Sequence, residues 1–142
     1  MYEDLSFNNK HILIVDDSET NVLVLKGMLE HENYTSVYSV LSAKEAYIIL
    51  EKENIDIILL DVVMPDIAGI EACQTINGMK ACKNIPIIMV TADTSNKTLK
   101  KSFESGANDF ITKPINQTNL KVRNINYLKN MGCIFIYLNK TN

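Results

Sequence analysis

Five short apolar runs recur along the chain: HILIV (11–15), TSVYSV (35–40), IDIILL (55–60), IPIIMV (85–90) and DFIT (109–112). Most are continuously apolar rather than alternating. A strand with apolar side chains on both faces has to be covered on both, which is the situation of parallel sheets flanked by helices. The segments between the runs can supply that cover. TNVLVLKGMLEHE puts Val22, Leu25, Met28 and Leu29 on one helical face. SAKEAYIILEKEN follows the second run, with Ser42 and Glu45 spaced as a capping box. GIEACQTINGMKAC follows the third run, SNKTLKKSFESG the fourth and INQTNLKVRNINYLKNM the fifth. Gly106 stands where a helix needs a residue at ease in the left-handed turn. Strands that begin roughly 20–30 residues apart, joined by right-handed helical crossovers, predict an α/β fold: a doubly wound, five-stranded parallel sheet.

Size and charge narrow the classes. The 142 residues suit one domain able to bury a core without staples. A net charge of −3 with scattered acids leaves no basic footprint, so no direct contact with nucleic acid is expected. Cys73, Cys82 and Cys133 form no CxxC pair and no metal-ligand spacing. An odd cysteine count behind an acidic, polar N-terminus (MYEDLSFNNK) points to a reducing, cytoplasmic setting. No apolar run approaches the ~20 residues that a membrane helix requires.

The polar residues that end the apolar runs carry the chemistry. Asp16 and Asp17 follow the first run, Asp61 the third, Thr91 the fourth, and Lys113 closes the fifth. In an open parallel sheet, ligands bind beyond the carboxyl ends of the strands, where strand order reverses. With the order 2-1-3-4-5, the first and third strands are neighbours there and their three aspartates share a crevice. Adjacent carboxylates repel and are costly to bury unless something pairs with them. Three of them against one lysine predict a hard divalent cation; Mg2+ suits oxygen ligands and keeps sites for water and phosphate. A carboxylate, Mg2+, a hydroxyl and a lysine are the parts needed for phosphoryl transfer to aspartate.

Taken singly, each signal has a plainer reading. Asp16 and Asp17 suit a helix cap or turn, Thr91 a helix cap, Lys113 an ordinary surface position. Phe110 reads equally well as core filling, and His11 and His31 read as structural or solvated. Lys97, Lys100, Lys101, Lys121 and Arg123, the one arginine, read as solvated helix faces. It is the ordered set that argues for a site.

That set resembles the response-regulator receiver domain, the phospho-accepting module of two-component signalling. VDD at 15–17, LLDVVMPDIAG at 59–69, VTA at 90–92 and TKP at 112–114 occur in the family's order and spacing. The resemblance covers about residues 10–131 and implies a flavodoxin-like (βα)5 fold. It further implies Asp61 as phosphoacceptor, and Mg2+ held by Asp17, Asp61 and the backbone carbonyl of Val63, with Asp16 acting through water. Thr91 and Lys113 would contact the phosphoryl group, the Lys113–Pro114 peptide would be cis, and Phe110 would join Thr91 as a switch residue. The implied partners are a histidine kinase or histidine phosphotransfer protein, an output domain or downstream protein, and a second copy in a homodimer. Such a domain catalyses part of its own modification without independent substrate turnover.

Val63 and Asp93 sit where such domains tune hydrolysis of the acyl phosphate, and an apolar Val63 predicts slow self-dephosphorylation. Residues 1–9 read as an N-terminal extension. The stretch 132–142 is a tail of unassigned role, where a longer chain would continue into an output domain. Three rival functions suit the same architecture. A flavin-binding protein needs hydroxyls and glycines in the first loop, where DDSET supplies acid. A Mg2+-dependent phosphohydrolase needs a general acid where Val63 stands. A degenerate receiver acting only as an interaction module would not need the complete residue set.

Overall fold

The computed structural model describes residues 9–64 and 66–123. The first eight residues, Pro65, the helix end expected out to 131, Cys133 and the tail 132–142 lie outside the described residues. The strands are β1 (His11–Val15), β2 (Ser36–Val40), β3 (Ile57–Asp61), β4 (Ile87–Thr91) and β5 (Asp109–Thr112). They form one parallel sheet in the order β2-β1-β3-β4-β5. The helices are α1 (Glu19–His31), α2 (Ala43–Lys52), α3 (Gly69–Asn77) and α4 (Asn96–Glu104), followed by α5, helical over 117–123. This is the doubly wound parallel sheet expected from the runs, in the flavodoxin-like (βα)5 order that the resemblance implies.

The core forms two layers because alternate strand residues face opposite ways. Leu13, Val15, Ile58, Leu60 and Met89 pack against Ala46 and Leu50 of α2 and Ala72 and Ile76 of α3. Ile12, Ile14, Ile57, Leu59 and Val90 pack against Val22, Leu25 and Leu29 of α1 and Leu120 of α5. Each such aliphatic side chain contributes about 1.5–3 kcal/mol through burial. The central strand β3 and its neighbour β4 are buried along their whole length.

Several boundaries differ from the sequence expectation. The third run starts two residues later, at Ile57, and Asp61 belongs to β3 as its last residue. Thr91 likewise ends β4. Asp56 stays outside the strand because its carboxylate accepts the His11 amide at 2.7 Å. The third helical segment splits: α3 ends at Asn77, the Gly78 amide closes it onto Gln74 and Thr75, and a 3-10 turn covers Lys80–Cys82. In β2 all five residues are half-buried, since this strand lies at the sheet edge.

The capping box at α2 is shifted by one residue. Ser42 Oγ accepts from the Glu45 amide at 3.2 Å, but the Glu45 carboxylate takes the Leu41 amide at 3.0 Å. Gly106 does adopt positive φ, at 110°, just past α4. Among the described residues, no helix is long and apolar enough to cross a membrane.

Candidate functional site

Parallel register lines up the strand ends. Val15 lies beside Leu60, Asp61 beside Val90, and Thr91 beside Thr112. The residues just past β1, the last residue of β3 and the loop after β5 therefore converge. Asp61 is 4% exposed and Asp16 only 1%, while Asp17 points to solvent. A carboxylate oxygen from each of the three lies within 4.8 Å of the others.

Local bonding fixes these side chains. Asp16 Oδ1 accepts the Ser18 amide at 2.9 Å, and Ser18 Oγ in turn caps α1 by accepting from Asn21 N at 3.2 Å. The helix cap is thus Ser18, which leaves both aspartates for the crevice. Asp61 Oδ1 accepts the Val63 amide at 3.3 Å. Lys113 follows β5 across a cis peptide to Pro114, with its own amide donating to the Thr91 carbonyl at 2.8 Å. Its Nζ lies 3.1 Å from Asp61 Oδ1 and 3.6 Å from Asp16 Oδ2.

One ammonium faces two buried carboxylates, and the deficit is visible at Asp61. Burial pushes its carboxyl above the usual range and the charge of Asp16 adds to this; the hydrogen bond and charge of Lys113 offset only part. Asp16 Oδ2 is buried without a hydrogen-bond partner. A buried, orphaned carboxylate oxygen beside two further carboxylates matches the donor set of a hard divalent cation. The residues present fit Mg2+.

Gly69 sets how closely α3 approaches β3. A Cβ there would lie 2.0 Å from the Asp61 carbonyl oxygen and 2.6 Å from Val62 Cα, and the Gly69 amide donates to the Val62 carbonyl at 2.8 Å. From sequence alone, Gly69 reads as an ordinary turn residue. Its place eight residues past Asp61, opening a helix, is the signal that marks it out.

The remaining candidates lie around this centre. The Thr91 hydroxyl is buried and bonded to the backbone of Asp93, not to the carboxylates. Val63 is 75% exposed. Phe110 is half-buried, edge-on to Phe103 with centroids 6.3 Å apart, and the Arg123 guanidinium sits 5.9 Å from its ring centroid. Arg123 also pairs with Asp109, so it is no free solvated charge. Beside the carboxylates a cavity of about 430 Å³ opens between Asn21, Val24, Ala92 and Pro114.

The family model for the response regulator receiver domain matches residues 12–124. The chain belongs to that family. As a receiver domain of two-component signalling, it is 38% identical over 121 residues to the transcriptional regulatory protein YvrH of Bacillus subtilis, covering 85% of this chain and 50% of that protein. It is 36% identical over 138 residues, 97% of this chain, to a probable cyclic di-GMP phosphodiesterase of Vibrio cholerae, of which it covers 30%. The receiver thus spans half or less of the length of these curated relatives. Among solved structures, the receiver domain of sensor histidine kinase PA1611 from Pseudomonas aeruginosa PAO1 carries a magnesium ion coordinated in its active-site cleft. It superposes with a TM-score of 0.79 at 26% identity over 85% of this chain and 98% of that one.

Proposed function

We propose that Asp61 accepts a phosphoryl group from a histidine kinase or histidine phosphotransfer protein in a Mg2+-dependent reaction. The observation that carries this reading is the meeting of the Asp16, Asp17 and Asp61 oxygens within 4.8 Å under a single lysine. Asp16, Asp17 and Asp61, with the Val63 carbonyl, would hold the ion, which when bound offsets charge on the phosphoryl oxygens. A carboxylate oxygen of Asp61 attacks phosphorus. The bond from phosphorus to the donor's imidazole nitrogen breaks, and its electron pair leaves with the imidazole. Lys113 offsets charge on the transferred group and Thr91 donates a hydrogen bond to it. Phe110 then follows Thr91 inward and changes the surface formed by α4, β5 and α5.

The receiver unit is taken as 10–131, with 1–9 as an extension and 132–142 as a tail toward an output domain. What supports an attached output domain is that this chain covers only 30% of the Vibrio cholerae relative. The partners are the phosphodonor protein in the cytoplasm and an attached or separate output protein, with a homodimer as a further assembly. Incubation with acetyl phosphate, followed by intact-mass spectrometry, tests the reading. One phosphoryl group should appear only with Mg2+, and not in Asp61→Asn. Because Val63 offers no group to position water, the adduct should persist for minutes or longer; decay within seconds would contradict that part.

A further inference from the structure

The five apolar runs that build the sheet are not the last in the sequence. A sixth, CIFIYL (133–138), follows α5; it is uncharged and rich in the β-branched and aromatic residues that favour strands. In an extended chain Ile134, Ile136 and Leu138 would fall on one side, Phe135 and Tyr137 on the other. Two apolar sides suit a strand that is covered on both.

The sheet has two edges, and chain topology separates them. On one face the crossovers through α2 and α3 carry the chain from the β2 side toward β4; on the other, α1 carries it from β1 to β2. Parallel crossovers are right-handed in about 98% of cases, so each face permits one direction of travel. Leu120 of α5 packs in the same layer as Leu25 and Leu29 of α1, which puts α5 on the face that leads toward β2. A strand following α5 therefore belongs at the β2 edge. Beside β5 it would need a left-handed crossover.

The β2 edge is shaped to receive such a strand. A cleft of about 410 Å³ opens between the end of β2 and α1, lined by Leu23 and Leu41, and another of about 400 Å³ runs along α2 at Ile48. Val40 lines both. Leu23 is 69% exposed and Ile48 56%, so each face of the sheet offers an apolar side chain to a strand laid beside β2. Charge agrees with a parallel direction: Lys140 follows the run, and Glu19 and Glu45 line the cleft at the carboxyl end of β2. Distance agrees too. From β5 to a place beyond β2 is five strand spacings, about 24 Å, and residues 124–132 reach about 30 Å when extended. Asn124, Asn126 and Asn130 are weak helix formers, as a stretch that must leave the helix before Gly132 requires.

We propose that residues 133–138 add a sixth parallel strand to the sheet, beside β2 of the same chain, with Lys140 at Glu19 and Glu45. A chain continuing past 142 then starts from the carboxyl end of the sheet, the edge that carries Asp61.

The test puts a nitroxide tag on the full chain through Thr141→Cys, combined with Cys133→Ser; Cys73 and Cys82 are buried and take no tag. Tagged, 15N-labelled protein is diluted into excess unlabelled, untagged protein, so that only broadening within one chain is read. The amides of Ser39, Val40 and Leu41 should lose most of their intensity, while those of Asp109–Thr112 keep theirs. Adding Ile136→Lys, which puts a charge in the middle of the run, should restore the β2 signals. It should also speed amide exchange within Ser36–Val40 about tenfold or more, the scale of one or two lost hydrogen bonds, with Ile87–Thr91 unchanged.

Intact β2 signals in the tagged chain, or broadening at β5 instead, would overturn the proposal. So would broadening seen only when tag and 15N label are on different chains, which would make the occupant the tail of a second copy. Unchanged β2 exchange in Ile136→Lys would overturn it as well. The tag measurement does not depend on how the Ile136→Lys chain folds.

Discussion

At Asp61 the electrostatics make a claim about stability. Its carboxyl is raised above its ordinary 3.8, by burial first and by Asp16 second. The folded state therefore holds the proton more tightly than the unfolded chain. Stability linked to this group is present at low pH and is lost as pH rises through the window from 3.8 to the raised value. Asp61→Asn, neutral throughout, should melt higher than the wild type at neutral pH without metal. The gap should close below pH 3.8, and added Mg2+ should narrow it by stabilising the wild type alone. Thermal melts across pH, with and without Mg2+, check this. The meeting of these acids was legible in the sequence, because carboxylates that end parallel strands are brought to one edge of the sheet. Which of Asp16 and Asp17 lies deeper was not, since adjacent residues differ only in the direction that the turn gives them. The state of Thr91 was hidden too, because its rotamer is set by a bond to the backbone two residues on. Arg123 reads as solvated in the sequence; its stacking on Phe110 depends on where α5 lies against β5, which local pattern does not encode.

Among the elements, the contact of α3 with the end of β3 tolerates least change. A methyl group at Gly69 would meet backbone atoms of Asp61 and Val62, not flexible side-chain ends. Gly69→Ala should therefore cost about 1–3 kcal/mol, as overpacking does. It should also slow phosphorylation of Asp61 in whatever fraction folds. Urea titration gives the first and intact-mass rates the second. The strands and helices themselves were legible, since continuous apolar runs and the 3.6-residue period are local properties. The break after Asn77 was not, because Cys82 keeps the apolar spacing going while Gly78 ends the helix.

Across the whole molecule, the sheet divides the core into two layers that share few side-chain contacts. Leu50 under α2 lies in one layer and Leu29 under α1 in the other. Leu29→Ala and Leu50→Ala should each cost about 2–5 kcal/mol. The double variant should lose their sum to within about 0.5 kcal/mol, as distant sites do. Denaturant titration of the three variants reads this; a large coupling would mean that the sheet transmits strain between its faces.

The same architecture leaves β2 at an edge, half-buried along its length and with no charged residue among Ser36–Val40. Edge strands in natural proteins are commonly guarded by lysine, proline or a bulge, and this one shows neither of those residues. Among the described residues no strand pairs with the outer side of β2, and an edge of that kind is a template for strands of other molecules in concentrated solution or while the chain is still folding. A lysine or proline introduced into β2 would therefore guard that edge from the opposite side of β1 from β3 and the carboxylate that ends it.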